Sequence, residues 1–258
     1  MIFETHAHYE DEAFDEDREE LLKSLPNNNI EYAVNISSGI KTVDQSIGLA
    51  EAYEYIYAAV GIHPGDSMSM DEERLTWLKE KARHPKVVAV GEIGLDYYWD
   101  TPDREMQKIW FARQMEMAKE VGKPLVIHSR DAANDTFNMM KEAGVTDIGA
   151  ILHCFGYGVE QARQYLNMGF YLGIGGVVTF TNGKKLKEVV EFAPLEQLVL
   201  ETDCPYLAPV PFRGKRNSSL YLPYIVREIA RIKKTDYDTV VRITNENAKR
   251  LYFKNERI

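Results

Sequence analysis

Eight short apolar runs recur along the chain, each followed by a longer amphipathic stretch. They lie at 1–5, 32–36, 55–60, 87–90, 124–127, 149–152, 170–174 and 198–200. They are rich in Val and Ile and bounded by turn residues, the pattern of strands buried on both faces. Helical periodicity fills the gaps: Leu75, Leu78 and Ala82 share one face of 71–83. The stretch 101–121 is predicted to open with Thr101 as N-cap and Pro102 at the first helical position, and to stop at Gly122. Helices over 134–143 and 159–168 end at Gly144 and Gly169. Others are expected at 16–25, 43–53, 184–192 and 220–232, and a last one near 237–252. Strands alternating with helices call for a parallel sheet with helices outside it. Eight such units in 258 residues match a single-domain α/β chain folded as a (β/α)8 TIM barrel over 1–258. The alternative, a doubly wound open sheet, usually carries a Gly-rich turn after its first strand, where this chain has His6-Ala7-His8.

Charge narrows the function. The chain has 31 Lys+Arg against 40 Asp+Glu, a net charge of −9. That excludes a general basic coat for nucleic acid. It does not exclude nucleic acid as a substrate, because a bound metal or a local basic rim offsets the total. Two cysteines, Cys154 and Cys204, are too few for a disulfide framework and suit a reducing compartment as packed thiols. The acidic start lacks the pattern of a signal peptide. The uncharged stretch 164–183 has the length of a membrane span, but it contains Asn167, Thr179, Thr181, Asn182 and several glycines. It reads as a helix, a turn and a strand. The expectation is a cytoplasmic protein with no membrane or obligate protein partner, a monomer or weak oligomer.

Five of the six histidines fall at or just beyond the C-terminal end of a predicted strand: His6, His8, His63, His128 and His153. Glu92 follows the fourth strand and Asp203 the eighth. Barrel active sites are built at that face. His6 and His8 are two apart, so alternation points both into the barrel mouth. Histidines at strand ends can simply make ordinary hydrogen bonds, and His-x-His alone is a weak motif. Four histidines and two carboxylates on one rim, however, exceed what a single tetrahedral ion needs. Two divalent ions sharing a carboxylate are expected, drawn from Mg²⁺, Mn²⁺, Zn²⁺ or Fe²⁺.

Six motifs occur in order: Thr5-His6-Ala7-His8, Gly61-Ile62-His63-Pro64, Gly91-Glu92-Ile93-Gly94-Leu95-Asp96-Tyr97, His128-Ser129-Arg130, His153-Cys154-Phe155 and Glu201-Thr202-Asp203-Cys204-Pro205-Tyr206-Leu207. Over nearly its whole length the chain resembles the TatD family of metal-dependent deoxyribonucleases, within the amidohydrolase-like barrel superfamily. The resemblance implies a barrel, a divalent metal requirement and hydrolysis of phosphodiester bonds in DNA. It also implies a first ion on His6, His8, Glu92 and Asp203 and a second on Glu92, His128 and His153, with Glu92 bridging. Two positions depart from the family pattern: Glu4 stands where Asp is usual, and Asn217-Ser218-Ser219 where Asn-Glu-Pro is usual. The second departure removes a carboxylate and a proline from the expected substrate rim.

Glu92 and Asp203 form the expected catalytic pair, Asp203 as a ligand that also orients or deprotonates the attacking water. Candidate substrate-binding residues are His63, Arg130, Glu201, Arg213, Lys215 and Arg216. Each has a bland alternative: a loop-fixing histidine, an ion pair, a packed strand-end carboxylate. Lys184, Lys185 and Lys187 read more simply as a solvated helix face. The favoured reaction is hydrolysis at a single-stranded DNA end, since a narrow barrel mouth suits an end better than intact duplex. The rivals are hydrolysis of another ester or amide, such as deacylation of aminoacyl-tRNA, and metal-dependent binding of nucleic acid without catalysis.

Overall fold

All eight apolar runs form strands, and each pairs in parallel with the next. The computed structural model describes residues 1–254. The strands are β1 (Ile2–Ala7), β2 (Ile30–Ile36), β3 (Ile56–Val60), β4 (Val87–Asp96), β5 (Leu125–Arg130), β6 (Ala150–Leu152), β7 (Tyr171–Ile174) and β8 (Leu198–Leu200). The helices outside them are α1 (Arg18–Ser24), α2 (Ile40–Ala52), α3 (Glu72–Ala82), α4 (Arg104–Val121), α5 (Ala133–Ala143), α6 (Val159–Asn167), α7 (Lys184–Phe192) and α8 (Leu222–Lys233). A last helix, α9 (Tyr237–Tyr252), leads to the floor of the barrel.

Two apolar clusters follow from the two faces of the strands. One joins the outward faces to the helices. The other takes residues from every strand, among them Phe3, Val34, Ala59, Val126 and Val199, and is closed by Leu251, Tyr252 and Phe253 at the end of α9. The floor is therefore apolar, and the buried histidines gather at the other end of the strands.

The sheet closes with little ladder between β8 and β1. A single bridge, Ala7 to Cys204, joins them beyond the last residue of β8. The Asp203 amide donates to His6 O (2.9 Å) and the His8 amide to Cys204 O (2.9 Å). Behind this bridge, the buried Glu4 carboxylate accepts from the Thr202 amide (2.9 Å), the Thr202 hydroxyl (2.7 Å) and the Ser219 hydroxyl (2.9 Å). Glu4 thus acts as a side-chain staple across the seam.

Several sequence expectations are corrected. β4 runs on to Asp96, six residues past its predicted end, and β5 reaches Arg130. Thr101 and Pro102 lie outside α4. Its N-cap is Asp103, whose carboxylate accepts from the Met106 amide (3.0 Å), so the stronger capping side chain sets the start. The uncharged stretch resolves into the end of α6, β7 and a 3-10 turn at Gly176–Thr179. Among the described residues no helix is long and apolar enough to cross a membrane.

Candidate metal centre

The C-terminal ends of the strands bring His6, His8, Glu92, His128, His153 and Asp203 together. β1 and the turn after it carry the first two. Their Nε2 atoms face each other at 3.1 Å, as alternation requires. Asp203 lies three residues past β8 with φ +57, a left-handed backbone that ends the strand geometry. Its Oδ1 is 3.6 Å from His6 Nε2 and 3.4 Å from His8 Nε2.

Glu92 occupies the centre. Its Oε2 faces His6 Nε2 (3.5 Å) and His8 Nε2 (3.8 Å). Its Oε1 faces His128 Nδ1 (2.7 Å) and His153 Nε2 (2.8 Å). The two oxygens of one carboxylate are thus divided between two pairs of histidines. The approach of β4 to β5 that allows this depends on Gly94. It has φ +144, and a Cβ there would lie 1.9 Å from the His128 carbonyl oxygen.

The donor set fits divalent cations. His8 Nδ1 bonds the Ile36 carbonyl (2.8 Å), so in the neutral ring Nε2 carries the lone pair. Around it stand His6 Nε2 and oxygens of Asp203 and Glu92, a mixed nitrogen and oxygen cage. Groups of His6, His8 and Asp203, of His63, Glu92 and His128, and of His6, His153 and Glu201 each bring ligand atoms within 4.8 Å of one another.

Electrostatics keep the carboxylates charged. Burial alone would raise Glu92, but the charge of His153 and hydrogen bonds from His128, His153 and His6 hold it well below the usual value. Burial likewise opposes ionisation of Asp203, and its bond with His8, with His153 and His6 nearby, outweighs it. His6 goes the other way: burial lowers it to about 4.

His63 is chemically distinct from the other rim histidines. Its Nδ1 accepts from the Gly65 amide (3.0 Å), and burial lowers its pKa to about 4. The neutral ring therefore holds its proton on Nε2, 3.9 Å from Glu92 Oε1, and presents a donor to the mouth rather than a lone pair.

The remaining predicted residues separate. Arg130 is exposed at the rim, its guanidinium 3.7 Å from the centroid of the Tyr98 ring. Arg213 lies over Phe180, and Lys215 is exposed on the same loop. Arg216 grips Asp17 with two bonds (2.7 and 2.5 Å) and the Ala13 carbonyl, so it anchors its own loop instead of facing a substrate. Glu201 is fully buried, which removes it from substrate reach. Its Oε1 accepts from the Cys154 amide (2.5 Å) and stands 3.8 Å from His153 Nδ1. Glu201 and Asp203 are two apart but do not share a strand face, because β8 ends at Leu200 and Asp203 turns left-handed. Asn217, Ser218 and Ser219 are buried too, behind the site and away from the rim. Lys184 pairs with Glu188 on an exposed helix face, whereas Lys187 is half-buried and joins α7 to Glu228 of α8.

Sequence reasoning passed over two acids. Asp96 Oδ2 bonds His128 Nε2 (3.0 Å). The signal was spacing, because Asp96 follows Glu92 by four in one extended strand. Glu10 Oε1 is 3.6 Å from His8 Nδ1, and nothing in its acidic surroundings distinguished it.

The site opens into a cavity of about 450 Å³ lined by residues that include His8, Glu10, His63, Glu92, His153 and Asp203. An adjoining cavity of about 380 Å³ runs past His128, Ser129, Arg130, Tyr157 and Leu207. Both are of the size that takes a small molecule or a chain end.

A closed parallel barrel with imidazoles and a shared carboxylate at its C-terminal mouth defines the class of metal-dependent barrel hydrolases. The particular family follows from comparison: residues 3–253 match the family described as TatD related DNase, and the chain belongs to it. It is 46% identical to YabD of Bacillus subtilis, described as a metal-dependent hydrolase, over 98% of this chain and 99% of that one. It is 31% identical to the 3′–5′ ssDNA/RNA exonuclease TatD of Cronobacter sakazakii over 94% of each chain. The crystal structure of YjjV, a TatD homologue from Escherichia coli K12, superposes with a TM-score of 0.92 at 28% identity, covering 98% of both chains.

Proposed function

We propose that the protein hydrolyses phosphodiester bonds in nucleic acid, with two divalent cations, and that it acts at single-stranded ends. The division of Glu92 between two histidine pairs carries this reading. One ion would be held by His6, His8, Asp203 and Glu92, the other by Glu92, His128 and His153. Bound there, two cations supply Lewis acidity that polarises a phosphoryl oxygen and makes water nucleophilic near neutral pH.

The chain's own groups do the rest. Asp203 is ionised and its side chain is partly exposed, so it faces the mouth ready to accept the proton of an attacking water. His63 offers Nε2–H to a non-bridging oxygen. Asp96 fixes the ring of His128. Arg130 stands at the rim where an adjoining phosphate would lie. The single-strand preference draws further support from the relative named as a 3′–5′ ssDNA/RNA exonuclease.

Metal-stripped protein refilled with Mg²⁺, Mn²⁺ or Zn²⁺ should shorten end-labelled single-stranded DNA and spare a single-stranded circle. Chelation should abolish the reaction, and Asp203→Asn should lower kcat by at least about a hundredfold. Absence of cleavage with every ion, in protein shown to carry metal, would direct the search to carboxylic esters and amides.

A further inference from the structure

Tyr98 and Trp99 have no place in the metal chemistry, yet both are large aromatic residues left in water, 54% and 59% exposed. Their rings meet edge to face, 4.8 Å between centroids and 87° between planes. The backbone that carries them is anchored to the site. The Tyr98 amide donates to Asp96 Oδ1 (3.0 Å), and the other Asp96 oxygen bonds His128. Arg130, from the next strand, covers one face of Tyr98. An aromatic pair fixed one carboxylate away from a candidate metal ligand is placed to meet the substrate.

Charge indicates which part of a substrate it would meet. The opposite wall, after β1, carries Glu10, Asp11 and Glu12 and repels phosphate. The β4–β5 wall carries Arg130 beside Asp131, with the Tyr98 ring against the Arg130 guanidinium and Trp99 against Tyr98. For a strand entering the mouth, Arg130 on this wall is the arginine or lysine among the residues lining the two cavities. There its phosphates meet a guanidinium and its bases meet π-faces, the combination by which proteins hold unpaired nucleic acid without reading its sequence.

We propose that Tyr98 and Trp99 form a stacking platform for unpaired bases next to the scissile bond, with Arg130 taking the intervening phosphate. The platform rests on the nuclease reading above and accounts for a preference for single strands, since paired bases have no free face to offer.

The test compares Tyr98→Ala, Trp99→Ala and Trp99→Phe with the parent protein, all metal-loaded, on three substrates. These are a single-stranded oligonucleotide, the same oligonucleotide with abasic terminal residues, and bis(p-nitrophenyl) phosphate, a diester without bases. Each alanine variant should raise KM for the oligonucleotide about tenfold or more, consistent with the loss of one stacked base. Trp99→Phe should recover most of that loss. On the abasic substrate the variants should equal the parent, and on the chromogenic diester, whose nitrophenyl rings can themselves stack, kcat should equal the parent's. Unchanged oligonucleotide kinetics in both alanine variants would overturn the platform and leave the nuclease reading standing. A parent protein that hydrolyses the chromogenic diester and no oligonucleotide would overturn both. Equal loss on all three substrates would show that the loop merely supports His128, and the platform would fall.

Discussion

At the scale of single residues, the two departures from the family pattern turn out to touch. Glu4 is one methylene longer than the usual Asp, and Ser219 stands where Pro is usual. The longer carboxylate reaches the Ser219 hydroxyl (2.9 Å), which is itself 2.6 Å from Tyr9 Oη. Glu4→Asp should leave that buried hydroxyl pair short of an acceptor and cost about 1–3 kcal/mol in urea unfolding. Burial pushes the Glu4 carboxyl up to about 7 against an ordinary 4.5, with bonds from Thr202, His6 and Ser219 partly offsetting the rise. Between those limits the folded chain holds the extra proton. The contribution of this group is therefore complete below pH 4.5 and is lost as pH rises through 7. Glu4→Gln does not titrate, so from pH 5.5 to 8.5 it should gain on the parent by roughly 2 kcal/mol. A constant difference across that range would clear Glu4 of the effect. Glu201 is a second buried acid, raised by desolvation to about 8. Its Oε2, with the Nδ1 atoms of His6 and His153, lacks a hydrogen-bond partner. These atoms lie behind one histidine of each proposed ion site. Glu201→Gln should weaken Mn²⁺ binding about tenfold or more, read by titration calorimetry, with thermal unfolding showing the variant folded.

At the scale of elements, what was legible in the sequence is the apolar middle of each strand. The strand ends were not, for a physical reason. From Gly91 onward β4 holds its place through ladder bonds and through Glu92, Gly94 and Asp96, so hydropathy loses the strand where the chemistry begins. The same holds for His128-Ser129-Arg130 in β5. The six proposed ligands were nevertheless readable, because a parallel barrel delivers every strand end to one face. Glu201 and Arg216 were misplaced because burial and a bidentate partner 199 residues away leave no local trace. The β4–β5 contact can be probed directly. Gly94→Ala would force both a positive φ and an overlap with the His128 carbonyl. It should destabilise the protein by about 2 kcal/mol or more and displace His128, so metal content should fall together with stability. Retention of full metal content would show that β4 and β5 can separate without loss of the site.

At the scale of the whole molecule, the barrel separates two tasks. Its floor is sealed by Leu251, Tyr252 and Phe253, and its mouth gathers polar groups that would be costly to bury elsewhere. A net charge of −9 is compatible with the proposed nucleic-acid substrate, because bound cations and Arg130 would act locally. In the proposed mechanism Glu92 would join two ions into one hydrolytic site. The most direct test is a titration of metal-stripped protein with Mn²⁺, following ions bound per chain and the rate of single-strand hydrolysis at each addition. Two ions should bind, and the rate should rise steeply only with the second. Saturation at one ion with full activity would contradict the shared-carboxylate site.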